Sequence, residues 1–254
     1  MEERIEEAAR IICSSRLTLA LTGAGISVES GIPDFRGAGG LWDKYNPAEY
    51  ATIHAFRSNP KKVWAMLREM DTLVQQAKPN KAHIGLADLE RMGLLHCVIT
   101  QNVDNLHQAG GSAHVIEYHG NSSTLSCLQC GYRVPSEERR GETAPRCSCG
   151  MILKPDVVFF GESIPPDALS RSFEMAAGAQ ALLVVGTSAV VSPANTIPVV
   201  AKRNGARIIE VNKESTHLTQ TMTDVFLQGS SGEIIPALVE KVKTIQGGGV
   251  SGGT

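Results

Sequence analysis

The chain of 254 residues has no apolar run of the roughly 18 residues that a membrane-spanning helix needs. It also has no excess of positive charge, because 24 lysines and arginines stand against 26 aspartates and glutamates and give a net charge of −2. A surface that binds nucleic acid is usually strongly basic. Residues 1–7 form a mainly acidic stretch, which lacks the basic start and apolar centre of a signal peptide. We therefore expect a cytoplasmic protein that binds neither membranes nor nucleic acid directly.

Cysteine is scarce, and four of the six cysteines are confined to one short stretch. Cys127 and Cys130 form a C-x-x-C pair, and Cys147 and Cys149 form a C-x-C pair after 16 intervening residues. This spacing is typical of a zinc ion held by four thiolates, although the second pair is one residue shorter than usual. Disulfides or free thiols are the alternative. One zinc ion with four protein ligands would have no open position, so its role would be structural.

Internal repeats are also absent, and short apolar runs instead alternate with segments of helical periodicity. This alternation is typical of a parallel sheet covered by helices. We predict an α/β fold: a Rossmann-like parallel sheet with helices on both faces, plus a small zinc-binding module. The predicted strands are residues 17–21, 95–100, 115–118, 181–185, 206–211 and 225–227, and the predicted helices are residues 3–14, 60–76, 80–93 and 232–243.

A glycine-rich run follows the first predicted strand. Gly23 and Gly25 allow a sharp turn and a close approach to a phosphate at the start of the next helix. The dinucleotide fingerprint G-x-G-x-x-G is absent, because Val28 stands at its sixth position. A phosphate-binding turn and a tight turn without a ligand are therefore both compatible with the glycines. Residues 33–37 then place a carboxylate, an aromatic ring and a guanidinium on a proline-stiffened loop, where function is often found.

Three other predicted strands end in polar residues, at 101–104, 186–188 and 212–214. The carboxyl ends of strands in an open parallel sheet form the ligand crevice, so these turns could surround one extended ligand such as a dinucleotide. Each turn could equally be a helix cap. His119 follows a further strand at the same predicted edge, and it is either a packed or capping residue or a general base.

The runs 23–27 (GAGIS) and 31–36 (GIPDFR) resemble the signature of the sirtuins, which are NAD-dependent protein deacylases. Residues 118–120 (YHG) and 155–162 also resemble sirtuin motifs, and the similarity extends over nearly the whole chain. The resemblance implies an enzyme that removes acyl groups from lysine in a protein or peptide. The acyl group would pass to ADP-ribose with release of nicotinamide, and the histidine would take a proton from a ribose hydroxyl.

By this resemblance, His119 is the catalytic base and Asn102 a second catalytic residue, and the cofactors are NAD and one structural zinc ion. The implied NAD-binding residues are Gly23, Ala24, Gly25, Ile26, Asp34, Phe35 and Arg36 at the nicotinamide and phosphate end, Gln101, Asn102 and Asp104 at the nicotinamide ribose, Gly186, Thr187 and Ser188 near the phosphates and the far ribose, and Asn212 and Ser231 at the adenosine. The implied substrate-binding residues are Val157, Phe159, Gly161 and Glu162, and the zinc ligands are Cys127, Cys130, Cys147 and Cys149.

Changes in composition along the chain divide it into parts, and residues 38–50, which mix glycine, proline and aromatic residues without a period, are predicted to be a long loop or lid. The predicted parts are a Rossmann-like NAD-binding domain of residues 1–30, 78–120 and 157–245, a cofactor-binding loop and helical segment of residues 31–77, a zinc-binding module of residues 121–156, and a flexible tail of residues 246–254.

A feature of sirtuins that remove succinyl or malonyl groups is missing from this sequence. Those enzymes carry a tyrosine and, three residues later, an arginine in the helix before the Pro-Asn turn. Here the corresponding positions hold Leu67 and Met70. We therefore expect a preference for acetyl and longer apolar acyl groups over acidic ones.

Three other readings remain open at this point. Mono-ADP-ribosylation uses the same departure of nicotinamide with a different acceptor. An ordinary NAD dehydrogenase would transfer hydride instead. An adaptor that binds protein or nucleic acid through its zinc module would have no activity, although the absence of a basic excess and the presence of His119 speak against it.

Overall fold

A computed structural model describes residues 1–35, 37 and 39–248 of the chain. Within these residues the strands are β1 (Thr18–Thr22), β2 (Cys97–Thr100), β3 (Val115–Glu117), β4 (Gly120–Ser126), β5 (Arg133–Pro135), β6 (Lys154–Val157), β7 (Ala181–Val185), β8 (Arg207–Asn212) and β9 (Val225–Gln228). The helices are α1 (Glu2–Ser14), α2 (Leu41–Lys44), α3 (Pro47–Tyr50), α4 (Ile53–Ser58), α5 (Pro60–Gln76), α6 (Lys81–Arg91), α7 (Leu106–Ala109), α8 (Pro166–Gly178), α9 (Thr196–Arg203), α10 (His217–Thr221) and α11 (Ser231–Gly248). Two 3-10 helices cover Ala24–Ser30 and Ser136–Arg139.

Six strands form a parallel sheet in the order β3-β2-β1-β7-β8-β9. The predicted parallel sheet is confirmed, and each predicted strand lies within two residues of an observed one. The strand order reverses between β1 and β7, which are the two central strands. In a sheet of this kind the ligand crevice lies at that reversal, beyond the carboxyl ends of the strands.

Alternate residues of the central strands point into two separate cores. In β7, Leu183 and Val185 pack with α1, α6 and α11 on one face, whereas Leu182 and Val184 pack with α8 and α9 on the other. This arrangement follows from the period of two of a β-strand, and it explains why the strand sequences are apolar throughout. The predicted covering of both faces by helices is therefore confirmed.

A second, antiparallel sheet has the order β5-β4-β6 and contains all four clustered cysteines in or beside it. Its apolar side packs against α4 and α5 in a small third core that includes Trp64, Leu125 and Phe159. The Trp64 Nε1 donates a hydrogen bond of 2.9 Å to the Leu153 carbonyl oxygen. The cysteine-containing module is thus attached to the helical segment rather than to the large sheet alone.

The structure corrects two sequence expectations. Residues 38–50 were expected to be a loop, but α2 and α3 occupy much of this stretch. Asn46 caps α3 by accepting a hydrogen bond from the Ala48 amide, and Pro47 starts the helix, so local capping rather than apolar periodicity forms it. The predicted tail at 246–254 is wrong at its start, because α11 runs to Gly248, and residues 249–254 lie outside the described residues. None of the described helices has the length and apolar character needed to cross a membrane.

Candidate active site

One large cavity of about 930 Å³ lies between the carboxyl edge of the parallel sheet, α5 and the cysteine module. It brings together residues that are far apart in the sequence. Ile26 does not line it, because that side chain is fully buried in the core, and Arg36 lies outside the described residues. The sequence-predicted residues that line it are Gly23, Ala24, Gly25, Asp34, Phe35, Gln101, Asn102, Asp104, His119, Val157, Phe159, Gly161, Glu162, Gly186, Thr187, Ser188, Asn212 and Ser231.

The glycine-rich turn after β1 packs directly against the turn after β7. The Gly25 amide donates a hydrogen bond of 2.8 Å to the Gly186 carbonyl oxygen. A Cβ atom on Gly25 would lie 2.8 Å from Gly186 Cα, and Gly186 itself has a φ of +60°. The sequence expectation was that the glycines serve a sharp turn and a ligand. The structure adds that their missing side chains allow two loops to meet at the base of the cavity.

A buried polar network holds Asn102 and Asp104 in place. The Asn102 side-chain amide donates hydrogen bonds to the Gly23 carbonyl oxygen at 3.2 Å and to Ser27 Oγ at 3.1 Å. Ser27 Oγ in turn donates to Asp104 Oδ2 at 2.7 Å, and Asp104 Oδ1 accepts from the Leu106 amide at 3.0 Å. Because these partners come from the turns after β1 and β2, the network fixes the two turns relative to each other.

Two histidines that the sequence analysis did not single out lie behind this network. His83 and His107 are almost completely buried, and their rings meet edge to face with centroids 4.9 Å apart. Burial lowers the pKa of His83 to about 4, opposed by the Asp104 carboxylate, and burial with the neighbouring His83 lowers the pKa of His107 to about 3. Both are therefore neutral at pH 7. For His83 alone the sequence contained a signal, because this histidine lies three residues after the Asn80 cap and completes a capping box on α6.

His119 stands at the end of β3 on the wall of the cavity. Its Nδ1 lies 3.0 Å from the Gln101 carbonyl oxygen, which can only accept, so Nδ1 carries the proton and Nε2 does not. Burial lowers the pKa of His119, and the hydrogen bond to the Gln101 carbonyl opposes this in part. The result is a neutral imidazole with a fixed tautomer beside the cavity, which is the form that a general base requires.

The far end of the cavity is built from the turns after β7 and β8 and the start of α11. The Asn212 side-chain amide donates 2.9 Å to the Thr187 carbonyl oxygen, and Gln101 Nε2 donates 3.1 Å to Thr187 Oγ1. The hydroxyls of Ser230 and Ser231 are buried and have no hydrogen-bond partner among the described residues. Buried hydroxyls usually have partners, so this end is suited to a ligand rich in hydroxyl and amine groups.

The segment from Val157 to Glu162 forms the opposite wall. The Glu162 carboxylate is occupied, since its Oε2 accepts from the Phe159 amide at 2.8 Å and lies 3.0 Å from Lys154 Nζ. The Val158 amide donates 2.8 Å to the His119 carbonyl oxygen. Glu162 therefore stabilises the conformation of this segment, and the Val158 hydrogen bond connects the segment to the backbone of His119.

The remaining wall is the apolar face of α5, where Leu67, Met70 and Val74 line the cavity. Arg68 also lines it. Its guanidinium stacks on the Trp64 ring at 4.7 Å, hydrogen-bonds the Glu142 carbonyl oxygen and lies 3.8 Å from an Asp71 carboxylate oxygen. The Arg68 charge is therefore already partnered within the protein.

The four clustered cysteines converge on one point. Their Sγ atoms all lie within 4.8 Å of one another, with Cys127–Cys149 at 3.5 Å and Cys130–Cys147 at 3.4 Å. These separations are close to the about 3.8 Å expected between thiolates around a tetrahedral zinc ion, and far longer than an S–S bond of about 2.05 Å. The shorter second pair thus still completes a site that fits one zinc ion. Four thiolates leave no open position, so the site is structural.

Comparison with known proteins places this geometry in one family. A model of the Sir2 family matches residues 23–193, which is more than half of the chain. The chain belongs to the Sir2 family. An NAD-dependent protein deacylase of Pyrococcus furiosus is 47% identical to this Sir2-family chain over 246 residues, covering 94% of this chain and 98% of its own length. An NAD-dependent protein deacylase of Thermococcus sibiricus is 46% identical over 247 residues, with coverage of 94% and 96%.

Solved structures of Sir2 proteins agree with the fold throughout. A Sir2 homologue in complex with NAD is 44% identical, has a TM-score of 0.88 and covers 94% of each chain. The protein Sir2Af2 bound to a myristoylated histone peptide is 38% identical, has a TM-score of 0.84 and covers 98% of this chain and 100% of its own. The resemblance inferred from the sequence motifs is confirmed, and the Sir2 fold here includes the cysteine module.

Proposed function

We propose that this Sir2-family chain is an NAD-dependent protein lysine deacylase that transfers the acyl group to ADP-ribose and releases nicotinamide. The observation that carries the proposal is the placement of His119. Its imidazole is neutral, has a tautomer fixed by the Gln101 carbonyl, and lines the same cavity as four turns at the carboxyl edge of the sheet. The relatives named above as NAD-dependent deacylases support the same activity.

The residues present fit NAD. Ser231 lines the cavity at the start of α11, and its buried hydroxyl, which has no partner among the described residues, offers with Asn212 hydrogen bonds for the adenosine end. The backbone-rich turns at 23–25 and 186–188 can approach a pyrophosphate closely because they are glycine-rich. NAD supplies a ribose carbon that becomes electrophilic as nicotinamide leaves, and the protein supplies position and proton transfer.

We assign the roles of the chain's own residues as follows. Asn102 and Asp104 are held by the network through Ser27 and therefore present fixed polar groups to the nicotinamide ribose. His119 Nε2 accepts a proton from a ribose hydroxyl, while the Gln101 carbonyl stabilises the imidazolium that forms. The proposed NAD-binding domain comprises residues 1–30, 78–120 and 157–245. Ile26 in this domain and Arg36 in the adjoining loop are retained as NAD-binding residues only through the motif that they share with the family.

The substrate is an acyl-lysine protein or peptide. Val157, Phe159 and Gly161 lie in the extended segment that faces the cavity, which could pair with an extended peptide backbone. Phe159, packed edge to face on Phe56 with centroids 5.8 Å apart, and Phe35 line the path of the lysine side chain. Binding of a myristoylated histone peptide by a 38% identical relative supports this class of substrate.

The acyl preference is for acetyl and longer apolar groups over acidic ones. Leu67 and Met70 present apolar side chains to the cavity, and the nearby Arg68 charge is already engaged by Asp71, Glu142 and the Trp64 ring. On the side of α5 that lines the cavity, an acyl carboxylate would therefore find no free cation among the described residues, which is unfavourable.

Mass spectrometry of the products tests the proposed function. Incubation of the protein with NAD and an acetyl-lysine peptide should yield free lysine peptide, nicotinamide and O-acetyl-ADP-ribose. Mono-ADP-ribosylation, the alternative, would yield a peptide carrying ADP-ribose. Hydride transfer, the reaction of a dehydrogenase, would leave the nicotinamide attached to the ribose of the cofactor. Either of these product patterns in place of O-acetyl-ADP-ribose would refute the proposal.

A further inference from the structure

Glu210 is a fully buried carboxylate in β8, two residues before Asn212. Among the described residues it forms no ion pair with a lysine, arginine or histidine. Burying a carboxylate is costly unless donors surround it. A buried acid without a cation in a strand that leads to the cavity therefore needs an explanation.

Three threonine hydroxyls surround this carboxylate. Thr216 Oγ1 donates to Glu210 Oε1 at 2.6 Å, and Thr219 Oγ1 and Thr223 Oγ1 donate to Oε2 at 2.7 and 2.8 Å. All three threonines belong to α10 and its flanking turns. The three hydroxyls come from residues before, within and after α10, so the one Glu210 side chain holds both ends of this segment.

The same hydroxyls also organise the backbone of the segment. Thr216 Oγ1 accepts from the Leu218 amide at 3.0 Å, and the Thr216 amide donates to Thr219 Oγ1 at 2.8 Å, which together form the cap of α10. A hydroxyl has one proton, and here that proton is committed to Glu210 while the lone pairs take the backbone amides. Loss of the carboxylate would therefore disturb both the side-chain contacts and the cap.

The segment in question forms part of the cavity wall. Residues 213–217 all line the cavity, next to Asn212 and Ser231 at the end that we assign to the adenosine. We propose that Glu210 is a positioning residue for the adenosine half of NAD, because it holds the loop 213–217 in the conformation that borders that half. This inference rests on the proposed function, since it takes NAD to be the ligand of the cavity.

The test measures the binding of ADP-ribose, which contains the adenosine half, by calorimetry on the full-length protein. Glu210→Gln should raise its Kd about tenfold or more, because the amide replaces an acceptor with a donor facing a hydroxyl. The KM for NAD should rise in parallel while kcat at saturating NAD stays within about twofold, as expected for a loss of ground-state binding.

Two further comparisons separate positioning from a general loss of stability. Thr219→Val removes one hydroxyl outside the cavity wall and should weaken ADP-ribose binding, whereas Thr219→Ser keeps the hydroxyl and should bind like the parent. Glu90→Gln is the matched control, since the Glu90 carboxylate anchors another turn through the Ala113 and His114 amides at 3.0 and 2.8 Å, away from the cavity. It should leave the Kd unchanged.

The outcomes are distinguishable. If Glu210→Gln does not fold, the Thr219 pair decides, and equal Kd values for Thr219→Val and Thr219→Ser would overturn the proposal. An equal loss of affinity in Glu90→Gln would also overturn it, because the effect would then be one of stability. If the parent bound neither NAD nor ADP-ribose, the proposed function itself would fail, and that result needs no variant.

Discussion

At the scale of single residues, the properties of His119 are set by two neighbours. Burial favours its neutral form, and the Gln101 carbonyl fixes the proton on Nδ1. A base with a lowered pKa stays active below its ordinary value of 6.5 and is lost only as the pH falls through the lowered pKa. We expect the acid limb of the kcat/KM profile for deacylation, which reports groups of the free enzyme, to lie below pH 6.5. A limb attributable to His119 at or above pH 6.5 would contradict this reading.

Gly25 provides a second prediction at this scale. Gly25→Ala would place a Cβ atom 2.8 Å from the Gly186 backbone, so the two turns must separate. We expect a loss of about 1–3 kcal/mol in the free energy of unfolding, measured with urea, and weaker binding of NAD.

Gly178→Ala is the matched control for that substitution. Its Cβ would meet only the Leu17 Cδ2 atom, at 3.4 Å, and Gly178 lies at the end of α8 far from the turns. Alanine should be neutral or slightly stabilising there. Equal effects of the two substitutions would show that the contact between the turns is not what requires glycine at position 25.

At the scale of elements, the antiparallel module depends on its metal site. Cys127 and Cys147 belong to the third core as well as to the thiolate cluster, and that core reaches Phe159 in the cavity wall. We expect one zinc per chain by atomic absorption. Cys147→Ser should lose the zinc and the deacylase activity, while the parallel sheet keeps most of its far-ultraviolet circular dichroism.

Cys13→Ser is the control for the metal prediction, since Cys13 lies on α1, outside the cluster. This variant should retain both zinc and activity. Full activity in a Cys147→Ser protein shown to be free of zinc would refute the dependence of the cavity wall on the metal.

Helix α5 carries the prediction on acyl preference. Leu67 and Met70 line the cavity, and we expect deacetylation and removal of longer apolar acyl groups to exceed desuccinylation in kcat/KM. The double variant Leu67→Tyr, Met70→Arg should shift this ratio towards succinyl, since it adds a cation and a hydroxyl to the wall. The control double variant Leu67→Ile, Met70→Leu keeps the wall apolar and should keep the parental ratio. Faster desuccinylation by the parent would refute the preference.

At the scale of the whole molecule, the sheet could be predicted because its strands are continuously apolar. The strand at 181–185 is found as predicted, and the others shift by two residues at most. The short helices α2 and α3 could not be predicted by periodicity, because four residues are too few to show a period and the Asn46 cap forms the second of them. The tail boundary was missed because α11 continues through glycines at 247 and 248.

The site was only partly readable from the sequence. Polar residues at strand ends predicted where a ligand would bind, because parallel strands share one carboxyl edge. His107 and the threonines around Glu210 were missed, since their importance lies in side-chain contacts between different elements, which no local pattern reports. For His83 the sequence showed only its place in the capping box of α6, not its contact with His107. The occupied carboxylate of Glu162 was likewise visible only once Lys154 was seen beside it.

The central claim is that one cavity holds NAD and the acyl-lysine together, with His119 as the base between them. The most direct measurement is steady-state nicotinamide release from NAD, with and without an acetyl-lysine peptide, for the parent and for His119→Ala. We predict release that requires the peptide and falls by about 10² to 10⁴ in the variant. Release that is independent of the peptide, or that continues at the parental rate in His119→Ala, would contradict the account.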